Sequence, residues 1–142
     1  MIQTTPNKDL EQLLKPNLFE SVNILIAEDD ETNYFLIKEY LEFSNANLIW
    51  AQDGKEAIDI LNQNNNIHLV LMDIQMPVMN GYDAFNLIKK SHPKIPVIAL
   101  SAYAVSGDRE KGLRLGFSEY LSKPVSRKKL VEIILQKIEG SC

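Results

Sequence analysis

The chain has 142 residues, 45% hydrophobic and 24% charged, with a formal net charge of −4 and one cysteine. Folding at this size buries roughly two-thirds of the unfolded surface, so a single domain with its own core is expected. Cys142 excludes an internal disulfide scaffold and fits a reducing, cytoplasmic setting, and the acidic balance argues against direct nucleic-acid binding. No apolar run approaches the roughly 20 residues of a membrane span, and residues 1–6 lack the apolar stretch of a secretory signal, so a soluble domain is expected.

Residues 1–21 mix Lys8, Asp9, Glu11, Lys15 and Glu20 with Pro6 and Pro16. Leu10, Leu13 and Leu14 can form a short helical turn that Pro16 ends, and the segment reads as a solvated linker or tail. From Val22 the pattern is regular. Residues 22–27 form a short apolar run of the kind buried on both faces of a parallel sheet, and it stops at Glu28-Asp29-Asp30-Glu31. A helix follows, with Asp30 as N-cap and Tyr34, Ile37 and Leu41 on one face. Residues 47–51 predict a second strand. Asp53, with Glu56 three residues on, opens a helix carrying Ala57, Ile58, Ile60 and Leu61, which the Asn-rich stretch 62–66 ends. Residues 68–73 are a third strand, again closing on a carboxylate. After Pro77 and an Asn80-Gly81 turn, a helix runs through Phe85, Leu87 and Ile88 to Lys89-Lys90, basic where the helix dipole is negative. Residues 95–101 make a fourth strand, 106–115 a helix closed by Gly116, and 119–122 a fifth strand. Ser126 caps a last helix through Leu130, Ile133, Ile134 and Ile138, and residues 140–142 are a tail.

Five strands alternating with five helices imply an α/β, doubly wound parallel sheet, because each parallel crossover needs a helix. Strand order 2-1-3-4-5, the flavodoxin-like arrangement, is the expected solution. It makes strands 1 and 3 neighbours, so Glu28, Asp29, Asp30 and Asp73 meet at the switch point where such sheets bind ligands. Helix capping accounts for Asp30. It leaves unexplained a carboxylate ending an apolar strand beside Asp29. A hard divalent cation such as Mg²⁺, which takes carboxylate oxygens, explains the group better. Beside a metal, Asp73 can also attack a phosphoryl group, and Ser101 and Lys123 at the ends of strands 4 and 5 can neutralise the phosphoryl oxygens.

Residues 22–139 resemble the receiver domain of two-component response regulators. The stretches that carry the resemblance are Ile24-Leu25-Ile26-Ala27-Glu28-Asp29-Asp30-Glu31-Thr32-Asn33, Leu71-Met72-Asp73-Ile74-Gln75-Met76-Pro77-Val78-Met79-Asn80-Gly81, Ala99-Leu100-Ser101-Ala102 and Tyr120-Leu121-Ser122-Lys123-Pro124. The resemblance implies that Asp73 is the phosphoacceptor. It implies Mg²⁺ on Asp29, Asp73 and the Gln75 backbone carbonyl, with Glu28 acting through water. Ser101 stands at the Ser/Thr switch position and Tyr120 at the aromatic switch, Lys123 pairs with the phosphoryl group, and the peptide before Pro124 is cis. Tyr103 is a candidate shield against water.

The resemblance further implies a phosphohistidine donor, either a histidine kinase or a histidine-phosphotransfer protein, docking near Thr32, Asn33, Leu36 and Ile37. The responding face combines the fourth predicted helix, the fifth strand and the fifth helix, which is also a candidate homodimer surface. Ala27-Glu28-Asp29, Gln75-Met76-Pro77 and Ser106-Gly107-Asp108-Arg109-Glu110-Lys111 look like receivers of hybrid histidine kinases, so the chain reads as the C-terminal part of such a kinase; a stand-alone receiver is the alternative. An aspartyl-phosphate phosphatase wants a second Asp two residues after the nucleophile as general acid. Gln75 stands there, which favours a phosphoacceptor over a turnover enzyme. Gly107–Gly112 spacing suggests a Walker loop, but Leu113 replaces the required Lys. Neither His68 nor His92 reads as a phosphodonor.

Overall fold

The segment Leu69-Val70-Leu71-Met72 has no polar alternation, and all five residues of the strand it opens are buried. Such a strand needs helices on both faces. The computed structural model, which describes residues 10–102 and 107–139, supplies them. Strands β1 (Asn23–Ala27), β2 (Asn47–Ala51), β3 (Leu69–Asp73), β4 (Val97–Ser101) and β5 (Glu119–Ser122) pair in parallel in the order β2-β1-β3-β4-β5, the order expected. The helices are α1 (Leu10–Leu13), α2 (Glu31–Leu41), α3 (Gly54–Gln63), α4 (Gly81–Ser91), α5 (Asp108–Leu115) and α6 (Arg127–Glu139), with a 3₁₀ turn at Glu42–Ser44.

Side chains alternate across each strand. Leu25, Ala27, Val70, Met72 and Ala99 face a core completed by Ala57 and Leu61 of α3 and by Ala84, Phe85 and Ile88 of α4. Ile24, Ile26, Leu69, Leu71, Ile98, Leu100 and Leu121 face the other core, completed by α2 and α6. The alternation sends Asp73, the last residue of β3, to this second face, and continued one residue past β1 and β5 it sends Glu28 and Lys123 there too. That parity positions the site.

The capping residues Asp30, Asp53 and Ser126 sit where the sequence places them, and Asn80, read there as a turn residue, also caps a helix. Asp30 Oδ1 accepts from the amides of Thr32 and Asn33, Asp53 from Glu56, Asn80 from Asp83, and Ser126 Oγ from Lys129. Gly116, at φ 114°, closes α5 in the left-handed region where a side chain would be strained. No helix among the described residues is long and apolar enough to cross a membrane.

Three expectations change. Residues 10–21 are not simply solvated: Leu13 and Phe19 are 0% and 1% exposed and join the α2–α6 core. The chain is held there by main-chain bonds, Asn17 N–H donating to Phe43 O at 3.0 Å and Phe19 N–H to Ser44 O at 2.9 Å. Charged residues in this stretch hide two large apolar side chains that need covering. Leu87, named with Phe85 and Ile88 among the residues the third predicted helix runs through, is 44% exposed, because Ala84, Phe85 and Ile88 already fill the inner face of α4. The helix expected from Ser106 is observed from Asp108, and Ser106 itself lies outside the described residues.

Candidate functional site

The ends of β1 and β3 lie side by side, since Ala27 pairs with Met72. Glu28 and Asp29 are the first two residues past β1, and Asp73 closes β3. Glu28 and Asp73 are 1% and 3% exposed, while Asp29 opens to solvent. One carboxylate oxygen from each of the three lies within 4.8 Å of the others. Asp30 stands apart, occupied with the N-terminus of α2. Lys123, just past β5, donates from Nζ to Glu28 Oε2 at 2.9 Å and lies 3.4 Å from Asp73 Oδ2. The remaining oxygens are held by backbone: Asp30 N–H donates to Glu28 Oε1 at 3.2 Å and Gln75 N–H to Asp73 Oδ1 at 3.1 Å.

The electrostatics follow from this packing. Burial raises the Asp73 carboxyl above the usual range and the Glu28 charge raises it further; Lys123 and the Gln75 amide oppose the rise without cancelling it. For Lys123, burial works against the ammonium, but the bond to Glu28 and the charges of Glu28 and Asp73 prevail and its pKa rises. With all three carboxylates ionised, one ammonium leaves two negative charges in a partly desolvated spot. The donors are all hard oxygens. A small divalent cation fits both the charge and the donor set.

Ser101 ends β4 and is 1% exposed. Its Oγ accepts from Gln75 Nε2 at 3.2 Å, and Gln75 Oε1 accepts from Ala102 N–H at 3.3 Å, so the Gln75 carboxamide bridges the loops after β3 and β4. Gly81 allows the start of α4 to approach Asp73: a Cβ there would lie 2.6 Å from the Asp73 carbonyl oxygen. The peptide Lys123–Pro124 is cis. Tyr103, the candidate shield, lies outside the described residues.

The family model for the response regulator receiver domain matches residues 24–135. The chain belongs to this family. It is 37% identical over 123 residues to the hybrid signal transduction histidine kinase I of Dictyostelium discoideum, a match covering 81% of this chain and 7% of that protein. It is 41% identical over 108 residues to the transcriptional regulatory protein CpxR of Escherichia coli, covering 76% of this chain and 45% of that one. The chain thus spans less than half of each of these two curated relatives. The structure of a Francisella response regulator receiver domain matches with a TM-score of 0.79 and 30% identity, over 85% of this chain and 99% of that one.

In this receiver domain Tyr120 is 4% exposed, and its hydroxyl meets that of Tyr82 at 3.1 Å. Its ring lies against Gly112, where an added Cβ would come within 2.4 Å of Tyr120 Cδ2. The sequence reading missed Tyr82 and Gly112, since nothing local marks a tyrosine in a helix or a glycine in α5 as a partner of β5. It also missed Arg109. This guanidinium grips Glu119 with both arms, Nε to Oε1 at 2.8 Å and Nη2 to Oε2 at 3.2 Å, and Tyr120 N–H donates to the same Oε1.

Burial opposes the Glu119 charge, but Arg109, the Tyr120 amide and Lys137 outweigh it and hold the carboxyl below its usual range. A depressed folded-state pKa contributes stability above the unfolded value, about 4.3 for Glu, and loses it as pH falls through the folded value. Glu119→Gln is therefore expected to flatten the loss of stability between about pH 5 and pH 3, read from urea midpoints. An acid limb as steep as that of the unaltered domain would remove this pair from acid unfolding.

Proposed function

We propose that Asp73 accepts a phosphoryl group from a phosphohistidine, with Mg²⁺ held by Asp29, Asp73 and the Gln75 backbone carbonyl and with Glu28 acting through water. The observation that supports this reading is the meeting of a buried Asp73 carboxylate at the end of β3 with acidic residues past the neighbouring β1 and with Lys123 past β5. The N–P bond of the donor breaks as an Asp73 oxygen bonds phosphorus, and the imidazole leaves with the electron pair. The metal's contribution is positive charge against the phosphoryl oxygens. Lys123 supplies a second such charge, and the Ser101 hydroxyl a hydrogen bond once it turns from Gln75. Tyr120 then takes the space vacated, and the face made by α5, β5 and α6 shifts population toward the active state. That face is also the proposed homodimer surface.

The donor's docking surface is read on α2. Phe35 and Leu36 are 48% and 40% exposed. Beside them a groove of about 310 Å³, lined by Asn33, Leu36, Tyr40, Ala102, Pro124 and Val125, runs to Lys123 at the site. We read the partner as a histidine kinase phosphotransfer domain or a histidine-phosphotransfer protein, working in the cytoplasm. We read the chain as the receiver of a hybrid histidine kinase, a reading the likeness to one such kinase supports, with a stand-alone receiver, which the likeness to the response regulator DivK of Brucella ovis supports, as the alternative.

The test uses acetyl phosphate, a small phosphodonor. With Mg²⁺ the domain is expected to take up close to one phosphoryl group per chain, and with a chelator none. Borohydride converts an aspartyl phosphate to homoserine, and mass spectrometry should find it at position 73. Homoserine elsewhere would overturn the assignment. Many phosphates released per chain per minute would point to a phosphatase instead.

A further inference from the structure

The peptide unit joining Glu28 to Asp29 lies just beyond the last ladder residue of β1, and no main-chain donor among the described residues meets its carbonyl. The amide of Glu28 still donates to Ala51 O at 2.9 Å. Its carbonyl accepts instead from the indole of Trp50, Nε1 to O at 2.7 Å. Trp50 is the chain's one tryptophan, and it stands on β2 opposite Ile26. Its ring is itself fixed, stacked on Tyr34 of α2 at 4.1 Å between centroids and 3° between planes, with Phe35 edge-on at 5.9 Å.

Two acidic residues of the cluster, Glu28 and Asp29, therefore flank one peptide plane whose rotation a side chain from the edge strand sets. Glu28 is further tied by Lys123 and by the Asp30 amide. Asp29 is exposed, and the peptide plane before it is the part of its backbone held by the Trp50 bond. We infer that Trp50 is a positioning residue for the acidic site, its indole N–H holding the Glu28–Asp29 peptide so that the Asp29 carboxylate points toward Asp73. This rests on the Mg²⁺ reading above. Groups that orient metal ligands from the next layer out change metal affinity by about 10- to 100-fold when removed, while a single hydrogen bond changes it by a few-fold to about tenfold.

The test isolates the N–H. In the full chain, the one tryptophan is replaced by 3-benzothienylalanine, which keeps the ring system but has sulfur in place of the N–H. Mg²⁺ affinity is measured by titration calorimetry, which does not depend on the fluorescence of the altered ring. The dissociation constant is expected to rise about fivefold to tenfold, measured at a temperature where the metal-free chain is fully folded; the lost hydrogen bond by itself lowers the metal-free melting temperature by only a few degrees. Trp50→Phe should behave likewise, and 7-azatryptophan, which retains the N–H, should restore affinity. Unchanged affinity in both N–H-less variants, with Asp29→Asn still weakening Mg²⁺ binding, would overturn the role of Trp50 and leave the metal reading standing. Mg²⁺ binding by the 7-azatryptophan chain as weak as that of the N–H-less variants would also overturn it, since the packing of the ring and not its N–H would then set the affinity. No Mg²⁺ binding by the unaltered chain would overturn both.

Discussion

Asp73→Asn is expected to abolish phosphoryl labelling and, in the absence of metal, to make the domain more stable. The first half follows from removing the attacking oxygen. The second follows from the price of the site in folding: Asp73 is 3% exposed, with its pKa raised first by burial and then by the charge of Glu28. A group whose folded-state pKa is raised favours folding below its unfolded pKa, and that contribution is lost as pH rises through the folded value. At pH 8 the ionised Asp73 therefore works against the fold. Asparagine has nearly the same shape and no charge, and it keeps an oxygen to accept the Gln75 amide. The gain is expected to be about 2 kcal/mol at pH 8 in chelator and to shrink toward pH 5, where the native carboxyl takes up a proton. Mg²⁺ should reverse the order, raising the melting temperature of the unaltered domain and leaving the variant unmoved. Equal stability of the two metal-free proteins at pH 8 would mean that Lys123 already compensates the carboxylate fully.

Phe19→Ala is expected to destabilise the domain by about 3–4 kcal/mol, a large part of the usual 5–15 kcal/mol stability of a small domain. Phe19 and Leu13 precede the matched family segment, which starts at residue 24, yet they sit at 1% and 0% exposure against α2 and α6. A phenylalanine removed from such a place loses its transfer free energy and leaves a cavity that the bonds from Asn17 and Phe19 to the turn at Phe43 and Ser44 prevent from closing. The segment lies at the N-terminal edge of the sheet, a strand's length from Asp73. Chemical denaturation should therefore show the loss, while acetyl-phosphate labelling of the folded fraction stays at the level of the unaltered domain. A change below about 1 kcal/mol would show that the segment is held only loosely.

The central strands β1, β3 and β4 were legible because a parallel sheet buries them on both faces. Continuous apolar runs such as residues 69–72 have few other uses in a chain of this length. Caps at Asp30, Asp53 and Ser126 were legible because a short polar side chain before an apolar-periodic stretch has a local partner, the amide two or three residues on. The convergence of Glu28, Asp29 and Asp73 followed from the topology, since strand order 2-1-3 puts two acidic strand ends side by side. Phe19 was hidden by its charged and proline-bearing surroundings, and the partners of Trp50, Tyr120 and Glu119 by distance along the chain.

The sequence by itself therefore determined the layer order, the acidic strand ends and the family, because each rests on periodicity or on residues within a few positions of one another. The tertiary structure alone decided that Lys123 sits against both Glu28 and Asp73. It alone decided that Gln75 ties Ser101 to the loop after β3, and that Trp50 holds the peptide between two acidic residues. These contacts join residues 22 to 95 positions apart, and only side-chain directions across a twisted sheet settle which of them meet. No local propensity encodes such meetings.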